Sequence, residues 1–236
     1  MRKKFFTYQQ DFFVEFPEVK AMFIKEARKY TFEKKSAVFC EGAPSNACYY
    51  IYSGVVRVYR IGENGKEATM AIYASGDIFG LNELIRGYRH HSRSEAMTRT
   101  TIYALEREKL TNFLMYNFDF TMEILRLFSR RIEYLEKRLT SMVVYKVMER
   151  LIRLLVLYHA STANPANCPY GTPVDIQLSQ IHIATMIGST QCTVSKLLHR
   201  LHREGLLDIG RKHIAVPDPA ALWAQAFRQD LEDIWP

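Results

Sequence analysis

Gln191, Cys192, Thr193, Ser195, Lys196, His199 and Arg200 fall within ten residues, interleaved with Val194, Leu197, Leu198 and Leu201. At 3.6 residues per turn the four apolar residues share one helix face and the polar set takes the other. A helix with that polar face can set its first turns in the major groove, where Gln, Thr and Lys meet base edges and phosphates. Ser189 or Thr190 can cap it, and Gly205 can end it. Ahead of it Ser179 is a second capping residue, followed by Gln180 and by Ile181, Ala184 and Ile187 as a short apolar face. Gly188 then permits a sharp turn. Behind it, Leu206–Ile209 and His213–Val216 read as two short strands joined by Gly210-Arg211-Lys212, a basic tip suited to a phosphate backbone. The order of cap, turn, polar helix and basic tip predicts a helix-turn-helix with a wing, and double-stranded DNA as its partner.

Other chemistries find little support. No Gly-rich phosphate loop, metal triad or Ser–His–Asp pattern stands out, so no catalytic residue is assigned and an enzyme is not expected. Cys40, Cys48, Cys168 and Cys192 include no C-x2-C pair, so no metal site is assigned and free thiols are expected, with a Cys40–Cys48 redox disulfide as the other reading. The net charge of +7 permits nucleic acid binding. Its distribution is more telling: Lys146–Val216 holds eight Lys/Arg against four Asp/Glu, whereas Pro217–Pro236 holds one against four. There is no apolar run of 18 residues and no signal peptide at the start, so a cytoplasmic protein with no membrane partner is expected.

The elements that must position the helix pair follow from periodicity. Residues 36–116 read as β-rich, with strands at Cys48–Ser53, Val55–Ile61, Ala68–Tyr73 and Thr101–Leu105 between glycines. Asn64-Gly65 predicts a type I′ hairpin. Many short strands at this spacing predict a sandwich or barrel. From Asp119 the period changes: Leu125, Phe128, Ile132, Leu135, Leu139 and Met142 form a heptad seam flanked by mixed charge, which predicts a self-pairing helix and a homodimer. A break is expected near Ser141–Tyr145, a core helix over Val147–Tyr158 and a loop over Ser161–Pro173.

The stretch from Leu178 to Leu198 resembles the DNA-binding segment of the Crp/Fnr family of bacterial regulators. Glu41-Gly42, Tyr50-Ile-Tyr-Ser-Gly54 and Ser75-Gly-Asp-Ile-Phe-Gly80 resemble that family's β-roll, and Arg150-Leu-Ile-Arg-Leu-Leu155 also falls in place. The resemblance implies an α+β chain: a cyclic-nucleotide-binding-like β-roll (jelly roll) over 1–118, a dimerisation helix and hinge over 119–145, and a winged helix-turn-helix over 146–236. It implies a transcription regulator that binds a palindromic operator, controlled by a small-molecule effector, with RNA polymerase as a partner if it activates. By position, Gln191, Cys192 and Lys196 would read bases. Thr190, Thr193, Ser195 and His199, with Ser179 and Gln180, would hold phosphates, and Ser189, Arg200, Arg211 and Lys212 complete the expected interface. The family's common Arg-Glu pair is Gln191-Cys192 here. Gln191 favours adenine by geometry, and Cys192 cannot accept from cytosine as a glutamate would.

In members that bind cyclic nucleotides a Gly-Glu pair takes the ribose and an Arg-Ser pair the phosphate. Gly80 is followed by Leu81, and His90-His91 aligns with Arg-Ser unless a short shift restores Arg93-Ser94. Cyclic AMP is therefore not the expected effector. An iron–sulfur cluster is not expected, because no cysteine precedes Cys40. Haem is left open, with His90, His91, Cys40 and Cys48 as candidate ligands. Otherwise a different small molecule is expected, on Tyr59, Gly80, Leu81, Arg89, His90, His91 and Arg93, with Tyr49, Tyr50, Tyr52 and Arg57 nearby.

Overall fold

The computed structural model describes residues 11–162, 175–176, 178–210 and 214–227. The expectations for Cys168, Arg211 and Lys212, and for the loop beyond Thr162, lie outside them. The described chain divides into two units, one up to Glu133 and one from Tyr134 onward.

The first unit opens with α1 (Pro17–Glu26), whose proline sits where the backbone N–H has no helical partner. Strands β1 (Arg28–Phe32), β2 (Ala37–Phe39), β3 (Ala47–Ser53), β4 (Val55–Ile61), β5 (Glu67–Ala74) and β6 (Ile78–Phe79) follow. Then come α2 (Leu81–Arg86), β7 (Arg93–Ala96), β8 (Thr100–Glu106), α3 (Arg107–Tyr116) and α4 (Phe118–Val144). The strands form two four-stranded antiparallel sheets, ordered β1-β8-β3-β6 and β2-β7-β4-β5. Phe39 and Val56 from one sheet meet Ile51, Phe79 and Ile102 from the other, and this is the core of a jelly roll.

Strand β3 shows why its sequence is almost continuously apolar. Tyr49 and Ile51 face the roll interior, Tyr49 lying 5.9 Å from Phe39 and 5.1 Å from Phe79. On the opposite side, Tyr50 joins a cluster of Phe13, Phe23, Phe113 and Phe120 contributed by the N-terminal segment and by α1, α3 and α4. The Tyr50 hydroxyl donates to Asp11 at 2.5 Å, and Lys20 Nζ lies at the same distance from that carboxylate oxygen. Both faces of the strand are buried, so alternation is lost.

The hairpin between β4 and β5 differs from the type I′ expectation. Gly62 N–H donates to Lys66 O and Gly65 N–H to Gly62 O, so the turn spans three residues between a paired Gly62 and Lys66. Only Gly65 has positive φ (72°), and Asn64 instead accepts from Lys66 N–H through its side chain. A longer loop with one left-handed glycine needs no positive φ at asparagine.

The second unit contains the end of α4, α5 (Val147–Thr162), β9 (Asp175–Ile176), α6 (Gln180–Ile187), α7 (Gln191–Arg203), β10 (Asp208–Ile209), β11 (Ile214–Ala215) and α8 (Pro219–Ala224). The three strands form a small antiparallel sheet, order β10-β11-β9. Leu151, Ile152, Leu155 and Val156 of α5 are fully buried, as are Leu222 and Trp223 of α8. Asp218 caps α8 by accepting from Ala220 and Ala221 N–H.

Gly54, at the β3–β4 corner, has φ +99°, and a Cβ there would lie 2.4 Å from Thr100 Oγ1 and 2.7 Å from Arg99 O. Gly54→Ala is expected to destabilise the protein by ~2–3 kcal/mol, from backbone strain and overlap together. Urea unfolding of the purified variant measures it, and a loss below the usual Gly→Ala range would show that the corner relaxes freely.

Candidate nucleic-acid interface and effector site

The helix-turn-helix is built by caps and one apolar contact. Ser179 accepts from His182 N–H at 3.3 Å to start α6, and Gly188 ends it with φ 63°. Thr190 accepts from Thr193 N–H at 3.1 Å to start α7, and the two hydroxyls lie 2.9 Å apart. Ile183, Ala184, Met186 and Ile187 of α6 are buried, as are Val194, Leu198 and Leu201 of α7. The expected α6 face therefore needs correction: Ile181 is 51% exposed, and Ile183 and Met186 take its place. With Ile, Ala and Met crowded on so short a helix, spacing alone does not choose the inner face. Gly205, at φ 74°, closes α7, with Leu206 N–H donating to Leu201 O.

Gln191, Cys192, Lys196, His199 and Arg200 are exposed on α7, while Thr193 and Ser195 are half-buried beside them. Lys196 lies four residues after Cys192, and His199 and Arg200 lie three and four after Lys196, so they form one stripe, with Gln191 at its N-terminal edge. Thr190 and Ser179 are exposed; Ser189 and Gln180 are half-buried. Arg200 is not free: its Nε donates to Glu204 at 2.9 Å, and Glu204 also accepts from Gln225. Among the described residues, the basic character of this surface rests on Lys196, Arg200 and Arg203.

The residues expected to hold an effector are separated by the roll. Gly80 precedes α2 with φ 77°, and a Cβ on it would lie 2.7 Å from the Tyr49 ring, so Tyr49 is seated on Gly80. Leu81 is fully buried. His90 is 2% exposed and stacks on Phe39 at 3.8 Å, and neither ring nitrogen has a hydrogen-bond partner. Burial pushes its pKa down from the ordinary value, opposed by Glu83. Ser94, paired with Val58 and Phe39, also has a buried hydroxyl without a partner.

Tyr59 and Arg93 are across from each other in register and one residue out of phase with Val58 and Ser94, so they lie on the outer sheet face, contrary to the expected site. Alternation along a strand sends neighbours to opposite faces. Tyr59 there covers Arg57, which is 4% exposed and bonded to Thr69, Glu67 and Glu95. Arg89 donates to Gly42 O, His91 sits 3.1 Å from Glu83 and Arg93 lies 4.0 Å from Glu41, all exposed. Tyr50 belongs to the aromatic cluster and Tyr52 is exposed.

Of the candidate haem ligands, His90 stacks on Phe39 with both ring nitrogens buried, His91 and Cys40 are exposed, and Cys48 is fully buried with its thiol pushed up to about 12 by that burial. Among the described residues no group of three His, Cys, Asp or Glu could hold a metal, and Cys40 and Cys48 are free thiols.

Helix α4 carries groups that sequence reading missed. Arg131 donates to Ile78 O at 2.5 Å and lies over the Tyr73 ring. Glu123 is bonded to Arg126 and Arg130. Phe120, Glu123, Ile124 and Leu127 are its buried face. Of the expected seam, Leu125, Ile132, Leu135 and Leu139 are exposed and Phe128 is half-buried. Met142 is half-buried against Gly188, and the exposed apolar stripe continues at Val143. Among the described residues no helix is long and apolar enough to cross a membrane.

Comparisons with known proteins bear on both halves. The cyclic nucleotide-binding domain matches residues 29–117, and the Crp-like helix-turn-helix domain matches 149–225. The global nitrogen regulator of a Synechocystis species is 30% identical over 197 residues, 83% of this chain and 87% of that protein. The solved structure of a CooA mutant from Carboxydothermus hydrogenoformans is similar at TM-score 0.72 and 26% identity, covering 86% of this chain and 88% of that one. FixK2 from Bradyrhizobium japonicum shares the fold, with TM-score 0.74 and 22% identity over 86% and 98%. A cyclic-nucleotide-binding roll, a long helix and a helix-turn-helix together define a DNA-binding transcription regulator. The chain belongs to the Crp/Fnr family of such regulators.

His90 gives a pH prediction. Its folded-state pKa lies below the ordinary 6.5, so below about pH 6.5 the unfolded chain takes up protons that the folded state refuses. Stability should therefore fall as pH drops from 6.5 towards the folded-state value. His90→Leu should flatten that slope in thermal unfolding between pH 7.5 and 5.5, and an unchanged slope would assign it to other groups.

Proposed function

We propose that this protein is a homodimeric, sequence-specific regulator whose DNA affinity is set by a small effector other than cyclic AMP. The observation that carries the reading is α7: a capped helix with an exposed stripe of Cys192, Lys196, His199 and Arg200 over a buried apolar face. Gln191, Cys192 and Lys196 read bases. Ser179, Gln180, Ser189, Thr190, Thr193, Ser195, His199 and Arg200 serve the phosphates, and Arg211 and Lys212 complete the DNA-binding set. The operator is a palindrome with half-sites about one DNA turn apart, ~34 Å. The working division is a sensor over 1–118, a dimer helix and hinge over 119–145, and a DNA-binding domain over 146–236. The protein acts in the cytoplasm, without catalysis, and meets RNA polymerase if it activates.

The sensor reading rests on what fills the roll. A buried Leu81 stands where a ribose carboxylate would be needed, and Tyr49 lies over Gly80. Ser94 and His90 are buried polar groups without partners, each an expense of ~1–3 kcal/mol. A compact ligand with hydrogen-bonding groups offsets that expense if it enters the aromatic interior. Arg131 links the roll to α4 through Ile78 O and Tyr73, so a shift in either strand reaches the dimer helix.

Two measurements test the reading. Lys196→Ala should lower the preference for a selected operator over random duplex by ~10-fold or more, the worth of one base contact. Fluorescence anisotropy at fixed salt reads it, and unchanged discrimination removes Lys196 from base reading. Leu135→Lys, on the exposed seam, should convert the dimer to monomer in sedimentation at micromolar concentration while the fold stays intact. A dimer unaffected by that charge would place the interface elsewhere.

A further inference from the structure

The side chains of α7 differ in what they are free to do. Thr193 is committed to the cap: its backbone N–H and its hydroxyl both meet the Thr190 hydroxyl, at 3.1 and 2.9 Å. Arg200 is held by Glu204 at 2.9 Å. Gln191 and Cys192 stand exposed in the first turn, with Lys196 exposed one turn further on. Cys192 is a free thiol. From Ile176 to Arg203 the sequence contains no carboxylate. The next one, Glu204, lies past the end of α7 and is engaged by both Arg200 and Gln225. The leading turn therefore presents a carboxamide and a thiol to a duplex, with no acid beside them.

We propose that this turn reads an adenine and a thymine on neighbouring base pairs, Gln191 taking the adenine edge and Cys192 packing against the thymine 5-methyl group. Each base offers the major groove a different set of atoms. Adenine presents a donor and an acceptor side by side, and the two ends of a carboxamide match both. Cytosine presents an amino group that calls for an acidic acceptor, which the leading turn lacks. Thymine presents a methyl group, and only an apolar atom gains by covering it. A thiol is small, polarisable and a weak hydrogen-bonding group, so it meets a methyl as a small hydrophobe does. Lys196, His199 and Arg200, the other members of the exposed stripe, would have to shed water from polar heads to do the same. Cys192 is thus a specificity-determining residue that acts by packing and not by hydrogen bonding. This assignment rests on the DNA-binding reading of α7 and adds to it which bases are read.

The test removes the methyl group and nothing else. An operator is enriched from random duplex by the full chain under reducing conditions. Its thymines are then replaced one at a time by deoxyuridine, which keeps every hydrogen-bonding atom. At one position in a half-site the affinity should fall by ~4-fold, the worth of one buried methyl group, in fluorescence anisotropy at fixed salt. Cys192→Ser should bind the thymine operator more weakly and no longer distinguish it from the deoxyuridine one. Cys192→Val, apolar but without a thiol, should keep the distinction. Cys192→Glu should move the preference at that pair towards cytosine. The residue is exposed, so these variants are expected to fold, and thermal unfolding of each checks it. An operator indifferent to every deoxyuridine, a Cys192→Ser protein that still discriminates, or a Cys192→Val protein that does not overturns the proposal while leaving DNA binding in place. Failure to enrich any sequence overturns the DNA-binding reading itself, and this assignment with it.

Discussion

A single helix of 27 residues must satisfy two demands at once. Helix α4 buries Phe120, Glu123, Ile124 and Leu127 on one face and leaves Leu125, Ile132, Leu135 and Leu139 uncovered on another. A helix apolar on two sides is costly in water unless both sides find cover. The intramolecular side is fixed by packing and by polar ties: Glu123 to Arg126 and Arg130, and Arg131 to Ile78 O. On the homodimer reading, a second copy of the chain covers the other side. Near its end, Met142 turns away from the seam towards Gly188, and the same helix begins to brace the DNA-binding unit.

The helix-turn-helix was the most legible part of the sequence, because local chemistry specifies it. Ser179, Gly188, Thr190 and Gly205 each act within four residues of themselves, through caps and left-handed turns. The α4 seam was legible for the same reason, a short repeat. The error at Ile181 arose where several apolar residues crowd one short helix and only the α7 contact decides which are inside. Strand β9 was missed because two residues carry no period of their own; it exists by pairing with β11.

The roll was half legible. Its four longest strands follow from composition, but β1, β2, β6 and β7 are defined by distant partners. The effector residues were the least legible. They came mainly from positions carried over by resemblance, and a pleated strand sends residues adjacent in sequence to opposite faces. Tyr59 and Arg93 lie on the outer face, whereas Ser94, one residue from Arg93, points inside with His90. The Asp11–Tyr50–Lys20 cluster had no signal at all, since it joins residues 39 apart.

The pair Arg200–Glu204 has a meaning beyond geometry. On the DNA-binding reading, Glu204 is an internal stand-in for a phosphate, held in place by Gln225. Arg200 must exchange one anion for another before it touches a duplex. The exchange returns little energy on featureless DNA, where contacts are few and loose. It is repaid only when α7 seats fully and neighbouring side chains engage together. A carboxylate that looks like a flaw in a basic surface thereby acts as a tare weight, subtracting the attraction that any polyanion would exert and leaving the part that depends on fit.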